Sequence, residues 1–427
     1  MNPGKLISTV DFAFREYAGK VRMFSFNARL YLLNVIVVGA AMGVFRLLFN
    51  FYVLSLGYDE ALLGRLITIS SLTALLAALP MGYLADLIGR KYSLLLSGAL
   101  MSSSIMAIIL FPSEGMLYGM NVVSGIGQSL SAVTMAPFLM ENSGEDERTY
   151  LFSFSSGLQM AMASVGNWIG GYLPTWIGTT RGVSAISTEA YAGALIVVSL
   201  TVALGLIPLA LMRTNRLSRV ERSVFAPITY ASKHPKMLGK LVLPMLVTSL
   251  GAGLIMPFMN VFFRQVHHQP DPVIGSLFAW GSLAMGLGLL LAPPLAERMG
   301  KIQLVVVTQA LSIPFLIILG FSPLFWMSTI AYYVRLALMN MSSPVYQTFV
   351  MEHVEPSARA TVASLVSMAW NFGWAFSPTI SGYLQVQYGF GPSFLGTIVL
   401  YTISTIMYYA FFLHGNRRQT PEPVLGD

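Results

Sequence analysis

The chain has 427 residues, of which 55% are hydrophobic and only 10% charged, with a mean hydropathy of +0.67. A soluble protein of this length needs far more charge on its surface. There is no cysteine, which excludes disulfides, thiol chemistry and thiolate metal sites. The net charge of +7 raises the question of nucleic acid, which the placement of the bases answers below.

Residues 1–30 carry Lys5, Arg15, Glu16, Lys20, Arg22 and Arg29 without a short apolar stretch and small-residue cleavage site, so no signal peptide is expected. Phe12 to Phe26 mixes aromatics with bases, the pattern either of a helix lying on a membrane surface or of a solvated tail. From there the apolar residues fall into runs of about 20, enough to cross a hydrocarbon core of roughly 30 Å as helices. Six are predicted before the middle of the chain, at 31–55, 61–84, 93–111, 117–140, 150–176 and 190–212. A polar segment, 213–240, rich in Arg and Ser and holding Pro227 and Pro235, reads as a linker. Six more spans follow at 241–264, 273–296, 303–321, 325–351, 360–386 and 392–413, and then a tail, 414–427. The expected architecture is an all-α membrane protein with 12 transmembrane helices in two six-helix bundles, 31–212 and 241–413. The basic residues concentrate at the two tails, the linker and alternate loops, while the other loops keep few. This is the positive-inside bias; it predicts cytoplasmic termini and makes the excess charge a topology signal rather than a nucleic-acid footprint.

The two halves repeat. Gly82, Asp86, Gly89 and Arg90-Lys91, between spans 2 and 3, are answered at an offset of 211 residues by Pro293, Glu297, Gly300 and Lys301. Gly64 falls on Gly275, Glu141 with Arg148 on Glu352 with Arg359, and Gly171-Tyr172-Leu173 on Gly382-Tyr383-Leu384. A two-fold repeat in an apolar chain points to two similar bundles flanking a pathway, the plan of a transporter. In span 5, Gly166 and Gly170 put small residues on one helix face for close packing.

The loop from Gly82 to Lys91 resembles the signature loop of the major facilitator superfamily, and the two Glu–Arg pairs resemble charged pairs that many members carry after helices 4 and 10. The resemblance covers nearly the whole chain and implies the fold of that family, alternating access, and a path lined by helices 1, 4, 7 and 10. It further implies that Asp86, Arg90, Glu141, Arg148, Glu297, Glu352 and Arg359 form a gate at the cytoplasmic rim. A carboxylate facing a helix N-terminus gains roughly 0.3–1 kcal/mol, so Asp86 and Glu297 are each expected to face a helix start in the opposite half. Two features depart from the efflux members: Asn121 stands where they carry an arginine four residues before a glycine, and span 5 lacks their Gly-Pro pair.

Charges inside a membrane helix are costly and usually functional. Arg46 in span 1 and Arg335 in span 10 each lie roughly 15 Å from a helix end at 1.5 Å per residue. Asn50 follows Arg46 by four residues; Asn121, Ser124 and Gln128 stack along span 4; Asn260 sits beside Pro257 in span 7. These residues are expected to bind an anionic or strongly polar group of a substrate, the alternative being that each arginine is satisfied within its bundle. The histidines and carboxylates fall at loops or helix ends, leaving the coupling open between a proton, a counter-solute and none.

The expected function is a secondary transporter of a small organic solute in the plasma or inner membrane, acting as a monomer without metal or cofactor. The competing readings are efflux of multidrug or lipid-like compounds by proton antiport and a non-transporting sensor. A membrane enzyme is disfavoured by the short loops and the absence of paired carboxylates or histidines at one depth.

Overall fold

The computed structural model describes residues 23–213, 235–352 and 359–414. The amphipathic tail reading, most of the linker, His353 and the C-terminal tail lie outside the described residues. Twelve helical spans stand where twelve were expected. The first six are α1 (Phe26–Ser55), α2 (Glu60–Ile88), α3 (Arg90–Leu110), α4 (Glu114–Glu141), α5 (Glu145–Arg181) and α6 (Thr188–Leu204, continued by Leu206–Ala210). The second six open with α7 (Pro235–Ile255), which runs through a 3-10 turn at Met256–Phe258 into a last segment, Met259–Gln265. Then come α8 (Asp271–Met299), α9 (Lys301–Phe321), α10 (Phe325–Glu352), α11 (Arg359–Tyr388) and α12 (Gly391–Tyr408, closed by a π turn at Tyr409–His414). No strand occurs among the described residues.

Nine of these spans are long and apolar enough to cross a membrane by composition alone. The other three, α5, α10 and α11, carry more Ser, Thr, Asn and Gln. Local chemistry sets the ends. Ser113 and Ser187 start α4 and α6 by accepting from the backbone N–H of Met116 and Ala190, a serine cap satisfying one of the free donors of a first turn. Gly182 ends α5 with φ 68°, a conformation that costs a side chain but not glycine. Pro257 has no N–H to give the helix, and α7 tightens there into its 3-10 turn.

The chain divides into two compact units. The first comprises Met1–Ser55 with Leu76–Val220; the second comprises Leu56–Leu75 with Glu221–Asp427. Helix α2 is thus shared, its first part grouping with the second unit. Within the first unit α1 packs on α5 and α6, and α3 on α4 and α6. The second unit repeats the plan, with α7 on α11 and α12, and α9 on α10 and α12.

The α1–α5 seam is backbone against backbone. A Cβ on Gly166 would lie 2.0 Å from the Ala40 carbonyl oxygen, one on Gly43 2.4 Å from that of Ala163, and one on Gly170 3.1 Å from Val44 Cα. At the offset of 211 residues, Gly166 and Gly170 become Ser377 and Ser381 of α11. There Ser381 donates to the Leu254 carbonyl and shares a hydrogen bond with Ser393 at 2.9 Å. Ser377 Cβ sits 2.8 Å from where a Cβ on Gly253 would be. Close approach with small residues substitutes for hydrophobic burial in a membrane, where lipid is as apolar as a side chain.

Candidate functional site

The loop between α2 and α3 and that between α8 and α9 share one backbone shape. Gly89 holds φ 87° and ψ 159°, and Gly300 holds φ 91° and ψ 147°. This region is essentially closed to residues with a Cβ, which explains why the two copies of the motif keep glycine here. Each glycine places a basic residue at the first position of the next helix.

In the first unit that residue is Arg90. It donates from Nη1 to Asp86 Oδ1 at 2.6 Å and from Nε to Glu141 Oε1 at 3.0 Å, tying α2 and α3 to the end of α4. In the second unit Lys301 pairs with Glu352 at the end of α10. Arg90 and Glu141 map onto Lys301 and Glu352 at the same offset, so the ion pair is duplicated with the fold. Of the predicted gate residues, Asp86, Arg90 and Glu141 are therefore brought together. Arg148 instead donates weakly to the Ser143 carbonyl at 3.4 Å, and its Nε has no partner among the described residues. Glu297 is exposed and makes no ion pair among the described residues. Arg359 opens α11, and its side chain lies outside the described residues. Lys301 was missing from the expected set, although the repeat offset itself pointed to it.

The predicted substrate residues separate by environment. Arg46 is exposed, makes no hydrogen bond or ion pair among the described residues, and belongs to the first unit. Asn50 is buried at 4% exposure and so does not share the setting of Arg46 one turn away. Asn121 is buried and donates to the Leu117 carbonyl at 2.8 Å. Gln128 is exposed and reaches Ser124 Oγ at 3.2 Å, so the α4 stripe bonds within itself. Asn260, also buried, accepts from the Val261 N–H at 3.0 Å, next to the 3-10 turn.

Arg335, in the second unit, is 1% exposed. Its Nη2 donates to the Tyr401 hydroxyl at 3.0 Å, its carbon Cζ stands 5.4 Å from the centre of the same ring, and its Nη1 approaches Met256 Sδ at 3.7 Å. Its Nε has no partner among the described residues. None of these neighbours is negative. Tyr401 reaches this position because Gly251 on α7 gives it room: a Cβ there would lie 2.9 Å from the ring. Neither Tyr401 nor Met256 was foreseen, since their proximity to Arg335 is a product of α7, α10 and α12 meeting.

Elsewhere in the second unit, the first part of α2 lies against α11. A Cβ on Gly64 would stand 2.3 Å from the Pro378 carbonyl oxygen, and one on Gly382 2.2 Å from that of Glu60. Thr68 and Thr379 share a hydrogen bond at 2.8 Å across the same crossing.

A sequence model described as the Major Facilitator Superfamily matches residues 31–268 and 241–426. No curated protein matches the chain significantly. Among solved structures, a bacterial homologue of the human lysosomal transporter Spinster, in an inward-facing and unoccupied conformation, superposes with a TM-score of 0.73 at 16% identity, covering 93% of this chain and 98% of its own. The nucleoside transporter NupG gives 0.74 at 13%, covering 92% and 100%. A D-xylose–proton symporter gives 0.69 at 14%, covering 92% and 98%. At these identities the likeness concerns the fold.

Proposed function

The chain belongs to the Major Facilitator Superfamily, and from that premise we propose that it carries a small organic solute with an anionic or strongly polar group by alternating access. Arg46 and Arg335 are the residues assigned to that group, with Gln128 as a further polar contact. The observation that supports this reading is charge without counter-charge: one guanidinium in each unit, about mid-helix, paired with no carboxylate among the described residues. The described acids all stand at helix ends or loops. A cation in a membrane helix lacks cheap hydration, so a site that keeps one unneutralised is suited to a negative ligand. Burial of Arg335 favours a role in which Tyr401 and Met256 hold it when no solute is bound.

We assign the Asp86–Arg90–Glu141 cluster and the Lys301–Glu352 pair to the gate, and place the protein in the cell membrane with both termini cytoplasmic. The experiment that tests the reading is counterflow in proteoliposomes, in which only a transporter accumulates labelled solute against an unlabelled load. A panel of organic anions and neutral analogues should show preference for the anions, and Arg46→Gln should erase it. Equal uptake of charged and neutral analogues by the wild type would end the assignment.

A further inference from the structure

The loop joining α7 to α8 at 266–270 carries a histidine that is packed rather than solvated. His267 is 8% exposed, and its ring lies 5.3 Å from that of Phe262, 5.8 Å from Phe263 and 5.9 Å from Phe325. Phe262 in turn packs against Phe390 and Phe394, so α7, α10 and α12 all contribute to this aromatic cage. His267 Nε2 is buried with no hydrogen-bond partner among the described residues. The loop is pinned on either side of this ring. Gln265 donates to Glu60, the first residue of α2, and Arg264 pairs with Asp271 at 3.4 Å, the latter 4% exposed in the first turn of α8.

The ionisable groups around the ring are few. From its own connection come Arg264, His268 and Asp271; Glu60 at the start of α2 is held by Gln265; α10 brings Tyr332, packed on Phe263, and Phe390 and Phe394 bring none from α12. The Asp271 carboxylate is engaged by Arg264. Burial, with the neighbouring charge of His268 as a smaller cause, holds the His267 imidazole below its ordinary value of 6.5. A proton on the packed ring would create a cation with a buried N–H and no acceptor. The faces of the phenylalanines offset that cost only in part.

We propose that His267 is an acid-sensitive clasp: proton uptake from the aqueous side drives its ring out of the aromatic cage, and the displaced loop releases Gln265 from Glu60, loosening the start of α2 in this unit. The sign follows from linkage. The packed ring prefers the neutral form and the released ring takes a proton at about 6.5, so the clasp is intact above that pH and lost progressively below it. The proposal is independent of which solute is carried. It would make the opening of this end depend on pH even if no proton is transported.

The test is hydrogen–deuterium exchange of the full chain in lipid nanodiscs, without solute, at pH 7.5 and pH 5.5, with rates corrected for the intrinsic effect of pH. The expected result is an acceleration of up to about tenfold at pH 5.5 in peptides covering 58–66 and 262–275, with α9 unchanged. His267→Phe refills the cage without titrating and should keep both segments protected at both pH values. His267→Met serves the same purpose with a more adaptable side chain. His268→Asn tolerates the left-handed φ of 52° at that position and should keep the acid response. An absent response in the wild type, or one that survives both His267 substitutions, overturns the proposal. Because no solute is present, failure here leaves the transport reading to its own assay.

Discussion

Arg90 donates to Glu141 at 3.0 Å across the ends of α3 and α4, and Lys301 repeats the bond to Glu352 across α9 and α10. The carboxylates of both pairs are more than a third exposed, so solvent screens them and each pair is worth under about 1 kcal/mol. Selection for bulk stability is a poor reason to duplicate such a bond. Glu141→Gln and Glu352→Gln should therefore change thermal stability by no more than a few degrees while altering the initial rate of counterflow severalfold. Wild-type rates in both variants would reduce these charges to markers of topology.

The motif glycines make a sharper case. Gly89→Ala and Gly300→Ala force a Cβ into backbone of φ 87° and 91°, at a cost of about 1–3 kcal/mol each. Gly82 supplies the internal control, because a Cβ there meets nothing within 4 Å. Thermal unfolding should rank Gly82→Ala near the wild type and the other two well below. If all three melt together, the special backbone is not required.

The crossing of α2 on α11 can be trapped, since the chain has no cysteine to confuse the result. Thr68→Cys with Thr379→Cys replaces a hydroxyl pair 2.8 Å apart and should give an oxidisable pair that joins the two helices. Adding Gly64→Val, whose side chain would collide with the Pro378 carbonyl, should lower cross-linking at least several-fold. Undiminished cross-linking would show that the seam yields without difficulty.

For the arginines, exposure predicts different signatures. Arg46 is exposed and has no ion pair among the described residues, so Arg46→Gln should depress transport of anions by tenfold or more with little change in melting temperature. Arg335 is buried against Tyr401, and Tyr401→Phe leaves one more guanidinium N–H without an acceptor, costing about 1–3 kcal/mol while shifting the apparent affinity for solute. Affinity unmoved in Tyr401→Phe, with stability lost, would assign Arg335 to the bundle interior alone.

Much of this architecture was legible in the sequence because its signals are local or periodic. Apolar run length sets the spans, and the offset of 211 residues sets the duplication. The same offset already aligned Lys301 with Arg90, which makes Lys301 a readable miss. Helix limits were less legible: α5 runs from Glu145 to Arg181, well beyond the apolar run at 150–176, because Gly144 with Glu147 starts it early and Gly182 ends it late. The spacing of Gly166 and Gly170 announced a close packing face but could not name Ala40 and Val44 as what they meet. The Tyr401 contact to Arg335 and the cage around His267 were invisible for the same reason. Each depends on a partner from another helix, Tyr401 for Arg335 and Phe325 for His267, that no local pattern announces.

The seam between α1 and α5 has a consequence for how the two halves have aged. In the first half the helices touch through bare main chain at Gly43 and Gly166, whereas in the second half hydroxyls at Ser377 and Ser381 occupy the matching face of α11. A graft of α11 in place of α5 would thrust Ser377 into the Ala40 carbonyl and Ser381 against Val44, and the reverse graft would strip the Leu254 carbonyl of α7 of its Ser381 donor. The duplicated modules have ceased to be spare parts for one another helix by helix, so a chimera that exchanges α5 and α11 alone should fail to assemble even though their outlines coincide.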